Sequence, residues 1–273
     1  MFVTTDDAQR LHAIAGAPGH VPLVLSNSLG TDVALWNAQL AAFSPDHSVW
    51  RYDTRGHGES DAPAGEYSLE RLGHDLITII DASGAGRADL CGVSIGGLTA
   101  LWTAVHAPSR VRRLILANTA ARIGDAGLWS ERIRAARAGG MAPLAAAATA
   151  RWFTEKFRAR RPDVVGRFRG TIERTNVDGY AGCCAALRDA DLRSLAGQVA
   201  CPTLIVTGRQ DRATPPEEGR WLGERIRGAT VVELDAAHLC NVECAEEFNA
   251  AVRSFMAAHD GITNNELPIT NYQ

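Results

Sequence analysis

Short apolar runs rich in valine, isoleucine and leucine recur along the chain, separated by stretches of helical spacing. The runs are Pro22–Ser26, Ser48–Tyr52, Ala88–Val93, Arg113–Ala117, Thr203–Thr207 and Thr230–Leu234. Hydrophobicity that is continuous rather than alternating predicts strands buried on both faces, hence a mostly parallel sheet joined by crossover helices. Apolar residues return every three or four positions through Ser68 to Ile80, Leu98 to His106 and Glu217 to Ile226, which predicts the helices that flank that sheet.

The alternation stops near residue 120. From Arg122 to Leu195 there is no convincing strand, only helix-forming sequence and an alanine-rich stretch near Ala145 to Ala150. A pair of crossover helices needs far fewer residues than this. The expected organisation is therefore an α/β core over 1–121 and 196–261, a helical cap over 122–195 and a polar tail over 262–273. An insertion after the carboxyl end of a strand lies over the ligand crevice of an open α/β sheet.

Composition narrows the functions available. The 273 residues carry 28 basic and 31 acidic side chains, a net charge of −3, which calls for neither nucleic acid nor an anionic membrane as partner. Lys156 is the only lysine, so a Walker-type phosphate loop is excluded and Schiff-base chemistry nearly so. Residues 90–109 lack Asp, Glu, Lys and Arg and match the length of a bilayer span, at about 20 residues. Their content (Gly92, Ser94, Gly96, Gly97, His106, Pro108) instead divides them into a strand end, a tight turn and a buried helix. Met1 to Asp7 has no basic region leading into an apolar stretch, so a cytoplasmic protein is expected. Six cysteines in a chain of this length read as reduced, mostly buried thiols. Cys240, Cys244 and His238 do not complete a metal set, so neither metal nor cofactor is expected.

Gly92-Val93-Ser94-Ile95-Gly96-Gly97 follows a predicted strand and opens a predicted helix. In that setting G-x-S-x-G marks a turn so sharp that flanking side chains would collide, with the serine hydroxyl thrown outward as a nucleophile. A serine needs a base, and the base an orienting acid, which in this arrangement follow in the order Ser, acid, His. Asp211 stands just past one strand and His238 in the loop after the next; Asp235, three residues before the histidine, is the rival acid. The oxyanion formed by attack needs two amide donors. Ile95 supplies one, and the loop Ser26 to Thr31 the other, at Leu29. The remaining histidines have plainer readings. His57 sits in a glycine-rich loop and is read as structural, His12, His20, His47, His74 and His259 belong to polar stretches, and His106 ends a helix.

With these motifs in place the chain resembles the α/β-hydrolases over residues 10–258. LVLSNSLGTD, YDTRGHGES, GVSIGG, TGRQDRATP and DAAHLCNVE stand in that superfamily's order and spacing. Where many members carry His-Gly this chain has Asn27-Ser28, and SNSLGTD is similar to the loop of 3-oxoadipate enol-lactonases of aromatic catabolism. ANTAARI, LWSERI, ARWFTEKF and GYAGCCAALRDADLR resemble that family's cap. The resemblance implies hydrolysis of a small anionic enol-lactone, with Arg132 and Trp152 as cap contacts to it. Charge gives an independent hint, since residues 122–195 hold 14 basic and 8 acidic side chains, a net of +6, against −9 elsewhere. A carboxylesterase, a carbon–carbon bond hydrolase of ring-cleavage products and a non-catalytic receptor on the same scaffold are the alternatives. The sequence leaves a homo-oligomer open.

Overall fold

The computed structural model describes residues 1–260, so the expected tail over 262–273 lies outside the described residues. The chain runs through β1 (Phe2–Thr4), β2 (Arg10–Ile14), β3 (Pro22–Ser26), α1 (Asn37–Phe43), β4 (Ser48–Tyr52), α2 (Leu69–Ala82), β5 (Ala88–Val93), α3 (Ile95–His106) and β6 (Val111–Ala117). Five helices follow: α4 (Ala126–Gly139), α5 (Ala142–Trp152), α6 (Glu155–Arg160), α7 (Pro162–Arg174) and α8 (Val177–Asp189). The core then resumes with β7 (Thr203–Gly208), α9 (Pro216–Arg225), β8 (Thr230–Leu234), α10 (Cys240–Glu243) and α11 (Ala245–Ala258).

One eight-stranded sheet has the order β1-β2-β4-β3-β5-β6-β7-β8. From β4 to β8 every neighbouring pair is parallel. β3, β4, β5 and β7 are buried at every position, which is why they appear in the sequence as unbroken apolar runs. β1 and β2 form an antiparallel hairpin on the β4 side. Their burial alternates, so they present no apolar run and were not expected. After β3 the chain steps to β4 on one side and then to β5 on the other. That reversal opens a crevice at the carboxyl ends of β3 and β5, where an open α/β sheet holds its ligand.

Local chemistry sets the boundaries. Ser68 is not the first residue of α2 but its cap, its hydroxyl accepting the Arg71 amide at 3.0 Å. Leu69, Leu72, Leu76, Ile79 and Ile80 of α2 face the core. In α3 every residue from Ile95 to Ala104 is buried, so the uncharged window 90–109 is the end of β5, a turn and an interior helix. Among the described residues no helix is long and apolar enough to cross a membrane. All six cysteines are free, five of them buried.

Two histidines depart from the plain reading given them. His47 is buried beside the Asp89–Arg113 ion pair, its Nε2 3.6 Å from the Asp89 carboxylate. His106 stacks on Trp102 with ring centroids 4.5 Å apart rather than standing free at the helix end.

The five helices between β6 and β7 pack as α4 on α8 and α5 on α7. Their tie to the sheet is close: Gly56, in the loop after β4, meets Gly179 of α8 backbone to backbone, and a Cβ on Gly56 would lie 2.3 Å from the Gly179 Cα. The Tyr67 amide donates to the Gly182 carbonyl at 3.2 Å, and that of Leu192 to the Ala121 carbonyl at 2.8 Å.

Candidate active site

Ser94 joins β5 to α3 with φ 59° and ψ −122°, a left-handed conformation that a side chain adopts only under constraint. The constraint is visible in its neighbours. A Cβ on Gly92 would lie 2.3 Å from the Gly96 backbone, and one on Gly96 2.2 Å from the Ser26 carbonyl oxygen. Backbone therefore packs on backbone where any side chain would wedge the turn open. Hydrogen bonds fix the serine's own main chain: its amide donates to the Ala117 carbonyl at 3.1 Å, and its carbonyl accepts the Thr119 hydroxyl at 2.7 Å.

Asp211 follows β7 and His238 follows β8, and His238 Nδ1 lies 2.8 Å from Asp211 Oδ2. With the aspartate ionised, Nδ1–H donates to it, leaving Nε2 as the basic nitrogen. Asp211 also accepts the Ala213 amide at 2.7 Å, the Thr214 amide at 3.1 Å, the Thr214 hydroxyl at 2.7 Å and the Asn118 side-chain amide at 2.9 Å. Burial pushes this carboxyl up, but His238 and the Thr214 and Asn118 hydrogen bonds outweigh it and hold it below the usual carboxylate value. Asp235, the rival acid, is exposed and accepts a hydrogen bond from Gln210 at 3.0 Å. Neither Asn118 nor Thr214 was anticipated. Asn118 also donates to the Ala237 carbonyl at 3.2 Å, bracing the histidine loop from the end of β6.

The loop after β3 reaches over Ser94. Asn27 is fully buried, donating to the Tyr52 carbonyl at 2.8 Å and accepting the Trp36 indole N–H at 2.9 Å. Gly30 turns with φ +79°, and its amide donates to His57 Nε2 at 2.9 Å. Burial lowers the His57 pKa to about 4, so the ring is neutral and Nδ1–H points to the Arg55 carbonyl at 3.2 Å. The structural reading of His57 thus gains a specific object, the turn next to Leu29. Among the described residues, neither the Leu29 nor the Ile95 amide has a protein acceptor.

A cavity of about 230 Å³ brings these parts together. Ser28, Leu29, Ser94, His238 and Ala213 form its floor, and Trp129, Arg132, Arg151, Trp152, Ile172 and Tyr180 come from the inserted helices. Both cap residues singled out in the sequence, Arg132 and Trp152, line it. The Arg132 guanidinium lies 4.6 Å over the Trp129 ring. Trp152 is buried, edge-on to Phe168 with centroids 6.3 Å apart, so it serves packing and cavity wall together. Arg151 was missed, because nothing in its sequence position separates it from the other cap arginines. Burial and the nearby Arg132 charge lower its pKa, which marks two cations facing one space. Among the described residues neither Arg132 nor Arg151 has a carboxylate or carbonyl partner. Ser94, His238 and the Arg132 and Arg151 guanidinium groups thus line one cavity, with the Leu29 and Ile95 residues that carry the two unused amides beside them.

A family model described as alpha/beta hydrolase fold matches residues 21–243. The chain is 39% identical to 3-oxoadipate enol-lactonase 2 of Acinetobacter baylyi, over 93% of this chain and 95% of that protein. It is 36% identical to 3-oxoadipate enol-lactonase 1 of the same organism, over 91% and 93%. The crystal structure of the enol-lactonase from Burkholderia xenovorans LB400 superposes with a TM-score of 0.92 at 41% identity, covering 94% of this chain and 100% of that one.

Proposed function

The chain belongs to the α/β-hydrolase family, and on that premise we propose that it opens 3-oxoadipate enol-lactone to 3-oxoadipate through an acyl-enzyme on Ser94. The observation that carries the reading is a pair of half-buried arginines, Arg132 and Arg151, that have no anionic partner among the described residues and line one small cavity with Ser94 and His238. A guanidinium withdrawn from water without an anion is costly, and a substrate carboxylate supplies the missing partner. The relatives named as enol-lactonases support the same substrate class.

His238, oriented by Asp211, takes the proton of Ser94 as the serine oxygen bonds to the lactone carbonyl carbon. The amides of Leu29 and Ile95 hold the oxyanion. Collapse of the tetrahedral intermediate breaks the ring C–O bond, and His238 returns the proton to the departing enol oxygen. The leaving group stays tethered to the acyl-enzyme, and its tautomerisation to the ketone discourages re-closure. Water deprotonated by His238 then attacks the acyl carbon and releases Ser94 and the diacid. Arg132 and Arg151 hold the carboxylate end under the inserted helices, with Trp152 as an apolar wall.

The test is a comparison of kcat/KM for the enol-lactone, small aryl esters and vinylogous diketones. The lactone is expected to lead, with Ser94→Ala abolishing turnover of every substrate. Arg151→Met should lower kcat/KM for the lactone about 10- to 100-fold, the worth of a charge-assisted hydrogen bond, and leave an uncharged aryl acetate within about threefold. Preference for the aryl esters by more than about tenfold would overturn the lactonase reading.

A further inference from the structure

The loop that carries His238 is held on both sides of the histidine by the inserted helices. The Leu239 amide donates to the carbonyl of Trp152, the last residue of α5, at 3.0 Å. The Ala237 amide donates to Glu243 Oε2 at 3.2 Å, and the same oxygen accepts the Thr154 amide at 3.1 Å. The other oxygen of that carboxylate accepts the Thr154 hydroxyl, which in turn caps α6 by accepting the Phe157 amide at 3.2 Å. One half-buried carboxylate, itself outside the catalytic cavity, thus binds the residue before the catalytic base to the start of an inserted helix.

We propose that Glu243 is a positioning residue, which locks the His238 loop to the inserted helices so that the imidazole meets Ser94 only while those helices are seated. The inference rests on His238 being the base. Its physical reason is that, among the described residues, no other group accepts from either amide. Without the carboxylate, the Ala237 and Thr154 N–H groups lose their acceptor and the loop must shift to find water. Displacement of a reacting group by about 1 Å costs on the order of a hundredfold in rate.

The experiment measures kcat, KM and Tm for Glu243→Ala, Glu243→Asp, Glu243→Gln and His238→Ala on two substrates, the enol-lactone and a small uncharged aryl acetate. Glu243→Ala is expected to lower kcat about 10- to 100-fold on both, with KM changed less than about threefold. Glu243→Asp keeps the charge but is one methylene too short to reach both amides, and loses about tenfold. Glu243→Gln keeps an oxygen for the two amides and recovers kcat to within about threefold of wild type. Thr154→Val combined with Glu243→Ala should lower kcat no further than Glu243→Ala alone, because both break the same link, while Tm falls further because α6 also loses its cap. A folded Glu243→Asp with wild-type kcat on both substrates overturns the positioning role, and it decides the matter even if Glu243→Ala fails to fold. Turnover that survives His238→Ala would instead remove the base, and this inference with it.

Discussion

His57 gives the sharpest measurable consequence of the fold around the site. Its ring is buried, Nε2 accepts the Gly30 amide at 2.9 Å, and its pKa is lowered to about 4. The unfolded chain takes up the same proton near pH 6.5, the ordinary histidine value. Stability from this residue is therefore complete above about pH 6.5 and is lost as the pH falls toward 4, because the unfolded state binds a proton that the native state refuses. Between about pH 7.5 and pH 5 the linkage amounts to about 2 kcal/mol. His57→Phe removes the titrating group and leaves the Gly30 N–H without an acceptor, which costs about 1–3 kcal/mol at neutral pH. Urea unfolding of both proteins at the two pH values separates these effects. Wild type should exceed the variant at pH 7.5, and the gap should shrink by about 2 kcal/mol at pH 5. Other titrating groups act in both proteins and cancel in the difference. A gap that stays constant with pH would refute the neutral, buried ring. Because Gly30 adjoins Leu29, the variant should also lose kcat at pH 7.5, where its fold is intact.

Three further outcomes follow from the same geometry. Gly96→Ala places a methyl 2.2 Å from the Ser26 carbonyl oxygen, so it should destabilise by at least about 2 kcal/mol and cut kcat about a hundredfold, read by thermal unfolding and turnover. Asp211→Asn keeps the size of the side chain but not the charge that selects the Nδ1–H form of His238. It should lower kcat about 10³- to 10⁴-fold at pH 7 with KM little changed. Raising ionic strength from about 20 to 500 mM should increase KM for the anionic lactone more than for a neutral aryl ester, and equal responses would deny the arginines a role in substrate capture.

Most strands legible in the sequence are buried on both faces; β8 is the exception, an edge strand exposed at Thr230 and Val231 that still reads as an apolar run. β3, β5 and β7 are continuous apolar runs because both faces are covered, and the turn at Ser94 declares itself because its glycines admit no Cβ. β1 and β2 are half-exposed, and nothing apolar in them is long enough to register. At the site, chain order and spacing after strands were enough to choose Asp211, Ser94 and His238 as candidates. Asn118, Thr214 and Glu243 escaped notice for a different reason. Asn118 bonds a residue distant in sequence, Glu243 accepts two backbone amides and Thr214 bonds Asp211 within one loop, and a polar side chain carries no periodic signal of such partners.

Charge had to be resolved side chain by side chain before it bore on function. The +6 of residues 122–195 is spread over a surface where most guanidinium groups are exposed or already paired, as Arg161 is with Asp163, Arg169 with Glu173 and Arg193 with Asp191. Exposed pairs of this kind contribute little, about 0–1 kcal/mol each, and attract substrate only weakly. Among the half-buried arginines of the insertion, Arg122 faces Asp191, Arg158 donates to the Ala150 carbonyl, and Arg188 is bound to Glu66 and Asp189. Arg132 and Arg151 have no such acceptor among the described residues, and both line the cavity above Ser94. A folded protein that leaves two neighbouring cations partly desolvated forgoes stability that a single acidic side chain between them would restore. On the proposed function, such an acid would neutralise the space that receives the substrate carboxylate. On the same reading, the positive charge that bears on substrate choice is therefore carried by two residues rather than fourteen, set apart by the cavity they line and by having no acceptor among the described residues.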